Sequence, residues 1–166
     1  MRYWIGLGAN LGDRAANLRR AGEELGKLGP IHARSRIYVT APVGGPPQGT
    51  YLNAALELSS ELRPEALLAH ALDIERGMGR ERGAEVRWGP RLIDIDLLLA
   101  GDDGELTMVA PGLELPHPRL AERAFALAPL VDLAPQLMHP RAHRTLSALL
   151  RDALRDGSIA VMEERL

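Results

Sequence analysis

The chain has 166 residues, of which 46% are hydrophobic and 25% are charged, and its net charge is −2. This composition is ordinary for a soluble globular chain and excludes an intrinsically disordered one. The chain contains no cysteine, which excludes disulfides and thiolate metal sites. The balanced charge argues against a general nucleic-acid-binding protein, and no apolar run is long enough to span a membrane.

The length predicts a single domain covering residues 1–166, because domains average roughly 150 residues. The first residues contain neither a long apolar stretch nor a small-residue cleavage site, so we expect no signal peptide. We therefore expect a cytoplasmic protein that acts as a monomer.

The N-terminal third predicts a strand over residues 2–8 and then a helix from about 13 to 28. Asn10 or Asp13 would be the N-cap of that helix. Residues 31–39 alternate between an apolar face at the odd positions and a wet face, which predicts a half-buried strand. The predicted wet face comprises His32, Arg34, Arg36 and Tyr38.

Residues 41–50 are rich in Gly and Pro and predict a loop. Next come a strand over residues 52–58 and a helix that begins at Pro64 and ends at Gly77 or Gly79. A charged loop over residues 80–90 leads into the most apolar strand, residues 92–99. The remaining pattern predicts a turn with short extended pieces over 102–117, and helices over 120–130 and 145–154.

Strands and helices in this mixed order, with short connections, predict a compact α+β sandwich. The strands over residues 31–39 and 52–58 are joined without a helix, which favours antiparallel pairing. A doubly wound parallel sheet is the alternative.

Asp94 and Asp96 lie two residues apart in the predicted strand 92–99, so both point to the same face, with α-carbons roughly 6.5–7 Å apart. Two neighbouring carboxylates repel each other, and burying them unpaired is costly. A hard cation such as Mg²⁺ would compensate, because it binds one or two carboxylates together with substrate phosphates. The alternatives are a solvated strand face or two Asp–Arg pairs.

The loop before these aspartates is rich in arginine: Arg80, Arg82, Arg87 and Arg91 fall within twelve residues. Guanidinium groups match phosphate oxygens and stay charged at any working pH. An arginine cluster next to a carboxylate pair is the combination that phosphoryl transfer requires. A solvated charged loop, partly neutralised by Glu81 and Glu85, is the alternative.

Four segments of the chain, in order, resemble the motifs of the 6-hydroxymethyl-7,8-dihydropterin pyrophosphokinase family. The most specific one runs WGPRLIDID over residues 88–96, similar to the family signature W-G-P-R-T-L-D-L-D. The other three are GLGANLGD at residues 6–13, YVTAPVG with YLNA at residues 38–54, and LPHPR with RAF at residues 115–125. Together they cover about residues 3–135.

This resemblance implies a ferredoxin-like α+β fold, with a mostly antiparallel sheet flanked by helices. It also implies transfer of the β,γ-pyrophosphoryl unit of ATP to the hydroxymethyl oxygen of 6-hydroxymethyl-7,8-dihydropterin. The products would be AMP and the pterin diphosphate, in folate biosynthesis. The implied cofactor is Mg²⁺, as two ions bound together with ATP.

The same resemblance implies a role for individual residues. Asp94 and Asp96 would hold the two ions and would be catalytic together with Arg80, Arg82 and Arg91. The implied ATP contacts are Glu75, Arg80, Arg82, Trp88, Arg91, Leu97, His117 and Arg123. The implied pterin contacts are Thr40, Val43, Tyr51, Asn53, Trp88, Asp94 and Phe125, with Tyr51 and Phe125 on either side of the ring.

Two other functions fit parts of the sequence. A different Mg²⁺-dependent phosphoryl or nucleotidyl transferase could share the Asp-x-Asp geometry and would turn over without a pterin. A non-catalytic ferredoxin-like module would pair Asp94 and Asp96 with arginines. In such a module, the ATP affinity of an Asp94→Ala variant would be insensitive to Mg²⁺.

Overall fold

The computed structural model describes residues 1–42, 47–79, 91–154 and 160–166. The strands in these ranges are β1 (Arg2–Ala9), β2 (Ile31–Arg34), β3 (Arg36–Thr40), β4 (Tyr51–Ser59), β5 (Asp94–Ala100), β6 (Met108–Ala110), β7 (Leu113–Leu115), β8 (Met138–His139), β9 (Arg144–Thr145) and β10 (Ala160–Arg165). The helices are α1 (Arg14–Gly26), α2 (Pro64–Gly77), α3 (Ala124–Leu133) and α4 (Leu146–Ala153), with a 3-10 turn at Leu120–Glu122. Within these ranges we find no helix with the length and apolar character needed to cross a bilayer.

The central sheet has the strand order β10-β3-β4-β1-β5, with β2 also paired to β4, and neighbouring strands are antiparallel. Helices α1 and α2 connect the strands in a β-α-β-β-α-β sequence, which with this strand order is the ferredoxin-like arrangement. The predicted α+β fold is confirmed, and the doubly wound parallel alternative is wrong.

Helices cover both faces of the sheet, so the strands are buried on two sides. Helices α1 and α2 pack on one face through side chains such as Leu18, Leu25 and Leu67. Helices α3 and α4 pack on the other face around Trp4 and Leu127. Burial of apolar area on both faces contributes roughly 25 cal/mol per Å² to stability, and it fixes the face to which each strand residue points.

The predicted strand over residues 31–39 is interrupted at Ser35, which separates β2 from β3. The Ser35 hydroxyl is fully buried; it accepts a hydrogen bond from the Ala55 amide at 2.8 Å and donates to the Arg36 carbonyl at 2.7 Å. Side-chain bonds of this kind offer the backbone an alternative to the regular ladder. The predicted wet face is wrong at Tyr38, which is buried because α3 packs against β3.

Strand β5 contains a bulge that the alternation did not predict. Trp4 pairs with Leu99 and Ile5 with Leu97, so Leu98 is an extra residue on β5. Leu98 and Leu99 therefore both lie in the core beneath α3 and α4, whereas strict alternation along the strand would place Leu99 on the opposite face. The strand begins at Asp94, two residues later than predicted.

The helices agree with the sequence pattern except at their ends. Asp13 is the N-cap of α1, and its carboxylate accepts a hydrogen bond from the Ala16 amide at 3.1 Å. The helix predicted over residues 120–130 is divided, because the chain leaves the 3-10 turn at Arg123 in an extended conformation before α3 starts. Strand β10 was not predicted; it pairs with the edge of β3.

An ion pair clamps α3 to the sheet. Arg36 donates to the Asp132 carboxylate from its backbone amide at 3.0 Å, from Nε at 3.1 Å and from Nη2 at 2.6 Å, and the Tyr38 hydroxyl donates to it at 3.0 Å. Burial alone would raise the pKa of Asp132, but the hydrogen bonds from Arg36 and Tyr38 outweigh it and lower the pKa.

We expect Asp132→Asn to lower the free energy of unfolding by about 1–3 kcal/mol, the usual range for hydrogen bonds to a charged group. Because the pKa of Asp132 is depressed, this contribution is present above about pH 4 and is lost as the pH falls. Urea unfolding at pH 7 and pH 3 measures both effects. Asp73→Asn, in the exposed Arg76 pair, is the matched control; an equal loss there would contradict the assignment.

Candidate active site

Strands β1, β4 and β5 present a row of paired residues on the face that α3 and α4 partly cover. Gly8 pairs with Asp94 on one side and with Asn53 on the other, and Gly6 pairs with Asp96. Each aspartate thus has a neighbour without a side chain. The carboxylates and the Asn53 amide therefore face a narrow cleft whose floor on β1 carries no side chains.

The two glycines leave room that a larger residue would fill. A Cβ atom on Gly6 would lie 2.9 Å from Leu98 Cδ1, and one on Gly8 would lie 3.4 Å from Asn53 Oδ1. The resulting small cleft has a volume of about 50 Å³. Its walls include Tyr51, Asn53, Asp94, Asp96, Leu98 and Phe125.

The aspartate pair is held in an electrostatically unfavourable setting. Burial, followed by the charge of Asp94, raises the pKa of Asp96. Arg91 offsets part of this, because its Nη1 donates to Asp94 Oδ1 at 2.9 Å. Arg123 also lowers the pKa of Asp96 through its charge. A cation bound between the carboxylates would stabilise the ionised pair further.

The donor set fits Mg²⁺ bound with a phosphate-bearing substrate. Asp94 and Asp96 supply hard oxygen ligands, and we find no cluster of three or more His, Cys, Asp or Glu ligands within the described ranges. Mg²⁺ is usually held by one or two carboxylates and completes its octahedron with water and substrate phosphates.

A second and larger cleft, of about 390 Å³, lies on the other side of β5. Its walls come from β5, from α2 and from the β6–β7 hairpin with the residues that follow it. Asp96 lines both clefts, so the carboxylate pair lies where they meet. Leu97 and His117, both predicted ATP contacts, line the larger cleft.

His117 is held as a neutral imidazole. Its backbone amide donates to the Leu98 carbonyl at 2.9 Å, and its Nδ1 accepts from the Arg119 amide at 3.3 Å. Burial and the charge of Arg123 lower the pKa of His117 to about 4. Since Nδ1 accepts a hydrogen bond, Nε2 carries the proton and is the available donor.

Arg123 and Phe125 lie at the start of α3, next to the carboxylates. The Arg123 guanidinium lies 5.5 Å from the centre of the Phe125 ring, within cation–π range. Burial and Arg119 lower the pKa of Arg123, while Asp96 and Asp94 oppose that shift. The division of the predicted helix at Arg123 thus places a guanidinium and an aromatic ring at the cleft.

Glu75 is 1% exposed, at the end of α2, and its Oε1 accepts a hydrogen bond from the Ile95 amide at 2.7 Å. The carboxylate thus provides a hydrogen-bond acceptor for the backbone of β5, an edge strand, at the residue between the two aspartates. The sequence resemblance implied a nucleotide contact for Glu75, and in the structure its carboxylate contacts the strand that carries Asp94 and Asp96.

Thr40 and Asn53 form a buried pair. Asn53 Nδ2 donates to Thr40 Oγ1 at 2.7 Å, so the orientation of the amide is fixed. Asn53 Oδ1 lies on the Gly8 side, facing the small cleft. Burial raises the pKa of Tyr51, which forms the cleft wall beside Asn53.

Asn10 is a site residue that the sequence analysis treated only as a possible helix cap. Its side-chain Oδ1 accepts a hydrogen bond from the backbone amide of Arg91 at 2.7 Å, and its backbone amide donates to the Arg91 carbonyl at 3.0 Å. Its Nδ2 donates to Gln48 Oε1 at 2.8 Å. Asn10 therefore joins the start of the aspartate segment to the residues before Tyr51. Its burial could not be read from one sequence.

Eleven of the predicted site residues line one of the two clefts or contact a residue that does. They are Thr40, Tyr51, Asn53, Glu75, Arg91, Asp94, Asp96, Leu97, His117, Arg123 and Phe125. The other four, Val43, Arg80, Arg82 and Trp88, lie outside the described residues.

Paired carboxylates, guanidinium groups and a neutral imidazole around two joined clefts are suited to phosphoryl transfer, so the site is that of a phosphoryl-transferring enzyme. The chain belongs to the 7,8-dihydro-6-hydroxymethylpterin-pyrophosphokinase family, whose model matches residues 4–135. This confirms the predicted family and its activity, the transfer of pyrophosphate from ATP in folate biosynthesis. The family generally depends on Mg²⁺ and acts on small-molecule substrates.

Two curated relatives carry the name 2-amino-4-hydroxy-6-hydroxymethyldihydropteridine pyrophosphokinase. The one from Methylorubrum extorquens is 45% identical over 139 residues, which is 82% of this chain and 85% of that protein. The one from Bacillus subtilis is 42% identical over 136 residues, which is 81% of this chain and 78% of that protein.

Solved structures share the fold. A crystal structure of Plasmodium falciparum HPPK-DHPS matches with a TM-score of 0.71 at 14% identity, over 93% of this chain and 45% of that one. The present chain therefore spans less than half of that longer protein. At this identity the likeness establishes the ferredoxin-like fold alone.

We expect Asn10→Asp to lower kcat/KM about tenfold, because a buried mismatched polar contact costs about 1–3 kcal/mol. The substitution keeps the acceptor for Arg91 but replaces the Nδ2 donor to Gln48 with a charged oxygen in a buried position. Steady-state kinetics measures the loss. Asn17→Asp, at an exposed side chain that donates to the Leu11 carbonyl, is the matched control, and equal losses would contradict the role of Asn10.

We expect His117 to titrate near pH 4 in the folded chain, below its usual value near 6.5. At this residue the unfolded chain then binds more protons between these values, so the contribution of His117 to stability falls as the pH drops from about 6.5 toward 4. NMR titration of the imidazole and urea unfolding across that range measure both effects. His117→Gln should flatten the stability profile; titration near 6.5 would contradict the buried neutral state.

Proposed function

We propose that the small cleft binds the pterin, that the larger cleft binds ATP, and that pyrophosphoryl transfer takes place between them at Asp96. The observation that carries this proposal is that Asp96 lines both clefts. Two substrates held on either side of one side chain would be positioned for direct transfer, which converts a bimolecular step into an effectively unimolecular one.

The lining of the small cleft suits a flat, hydrogen-bonding ring, and its walls would have to separate to admit one, since its volume is about 50 Å³. Gly6 and Gly8 leave a floor without side chains, and Tyr51 and Phe125 supply aromatic surfaces for stacking. Asn53 would accept a hydrogen bond through Oδ1, since Thr40 holds its amide nitrogen. A fixed amide would reject rings that lack the matching donor, because it would leave a buried polar group unpaired.

The larger cleft suits a nucleotide with its phosphates toward the aspartates. Arg91 and Arg123 supply positive charge beside Asp94 and Asp96, and His117 supplies a neutral Nε2 donor. Leu97 contributes apolar surface to the wall of this larger cleft, and its side chain lies on the face of β5 opposite to the aspartates. Glu75 would act as a positioning residue by holding the edge of β5.

Asp94 and Asp96 would hold two Mg²⁺ ions with the triphosphate. When bound, the ions would stabilise negative charge on the transferred group. Transfer forms a bond between the hydroxymethyl oxygen and the β-phosphorus and breaks the bond from the β-phosphorus to the oxygen that stays with AMP. The proton of the hydroxyl is released to solvent water, and the arginines would hold the phosphates in line.

Arg80, Arg82 and Trp88 would complete the phosphate and ring contacts, and Val43 would bound the pterin, as the family motifs imply. We further propose a single domain that acts as a cytoplasmic monomer. Its ligands would be the two small substrates and not nucleic acid, which agrees with the balanced net charge of −2.

We expect Asp94→Asn and Asp96→Asn each to lower the rate of AMP formation by roughly a thousandfold or more, because metal stabilisation of the transferring group is worth several kcal/mol. The assay mixes protein, ATP, Mg²⁺ and 6-hydroxymethyl-7,8-dihydropterin and quantifies AMP. Asp102→Asn, in an exposed turn, is the control that should retain activity.

Circular dichroism should show that all three variants stay folded. An active Asp94→Asn, Asp96→Asn double variant would refute the role of the pair. ADP in place of AMP in the wild-type reaction would refute pyrophosphoryl transfer.

A further inference from the structure

The hairpin formed by β8 and β9 lies beyond residues 4–135, which the family model matches, yet it reaches the wall of the larger cleft. Arg141, in the turn of this hairpin, makes the contact. Its Nη1 donates to Glu114 Oε1 in a short ion pair, and its Nη2 donates to the Leu115 carbonyl at 3.4 Å. One guanidinium thus holds both a side chain and the backbone of β7.

Glu114 lines the larger cleft together with His117. On the β6–β7 hairpin it pairs with Val109, and it lies three residues before the imidazole. Its charge also raises the pKa of His117, against the larger effects of burial and Arg123. An uncompensated carboxylate on this wall would repel a nucleotide triphosphate.

The turn that carries Arg141 is itself fixed. His139 is 5% exposed, and its Nδ1 accepts from the Arg141 amide at 3.3 Å and the Ala142 amide at 3.1 Å. The His143 amide donates to the His139 carbonyl at 2.9 Å. Because three backbone amides are bound, the guanidinium leaves the hairpin from a defined position.

We propose that Arg141 is a positioning residue for the nucleotide: it neutralises Glu114 and fixes the cleft wall at Glu114 and Leu115 from a segment outside the family motifs. This inference rests on the proposed assignment of the larger cleft to ATP. The Arg141 and Glu114 side chains are 41% and 35% exposed, and pairs this exposed contribute little to folding. The effect should therefore fall on nucleotide binding and leave stability nearly unchanged.

The chain offers a matched control in the same hairpin. Arg144 donates to Asp152 at 2.6 Å, and its side chain is 46% exposed, but its partner belongs to α4. Arg141→Ala and Arg144→Ala remove the same charge from the same hairpin. Only the first removes a contact with the cleft.

The test measures binding of a non-hydrolysable ATP analogue with Mg²⁺ by calorimetry, together with KM for ATP and for the pterin. We expect Arg141→Ala to weaken analogue binding and raise KM for ATP roughly three- to fivefold, the range of one partly exposed ion pair. In Arg141→Ala, the KM for the pterin and the melting temperature should stay at wild-type values. In Arg144→Ala, analogue binding, both KM values and the melting temperature should all stay at wild-type values.

Adding Glu114→Gln to Arg141→Ala should recover most of the lost affinity, because the repelling charge is removed. Unchanged analogue binding in Arg141→Ala, or an equal loss in Arg144→Ala, would overturn the inference. If the alanine variant does not fold, Arg141→Lys, which keeps the charge, is compared with Arg141→Met, which removes it. Equal affinities of these two variants for the analogue would also overturn the inference. A wild-type protein that binds the analogue but forms no AMP would refute the proposed function instead.

Discussion

The site depends on two carboxylates of one strand facing two glycines of the next. Asp94 and Asp96 pair with Gly8 and Gly6, so no neighbouring side chain on β1 can neutralise or cover them. Asp96 is nevertheless buried by the rest of the fold, and burial, followed by the charge of Asp94, raises its pKa. A folded chain that keeps two carboxylates this close together would gain stability from a bound cation, which is how the geometry of the sheet supports the proposed metal and phosphate binding.

The rest of the fold supplies what that pair needs. The bulge at Leu98 turns the end of β5 into the core beneath α3, while Asp96 remains at the junction of the two clefts. Helix α2 holds the outer edge of β5 through Glu75, and the turn before α3 brings Arg123 to the carboxylates. Asn10 ties the entry of β5 to the residues that lead into Tyr51. The cleft walls and the charge compensation thus come from different elements that converge on one strand.

Much of this could be predicted from local pattern. The alternation of Asp94 and Asp96 with Ile93 and Ile95 defines their common face, because side chains alternate along any strand. Register is a tertiary property, and one sequence does not reveal it. For that reason the bulge at Leu98, the break at Ser35 and the pairing of β10 were missed. The burial of Tyr38 was missed because nothing in the local sequence shows that α3 covers the sheet. The role of Asn10 was missed because its hydrogen-bond partners are 38 and 81 residues away in the chain.

We propose that divalent metal binds at this aspartate pair, together with the nucleotide. Paramagnetic Mn²⁺ in place of Mg²⁺ tests it most directly, by NMR of the amide signals in the presence of ATP. The account predicts line broadening centred on Asp94 and Asp96 and on the facing amides of Gly6 and Gly8, absent when both aspartates are replaced by asparagine. Broadening centred on another acidic region, such as the turn at Asp102 and Asp103, would contradict it.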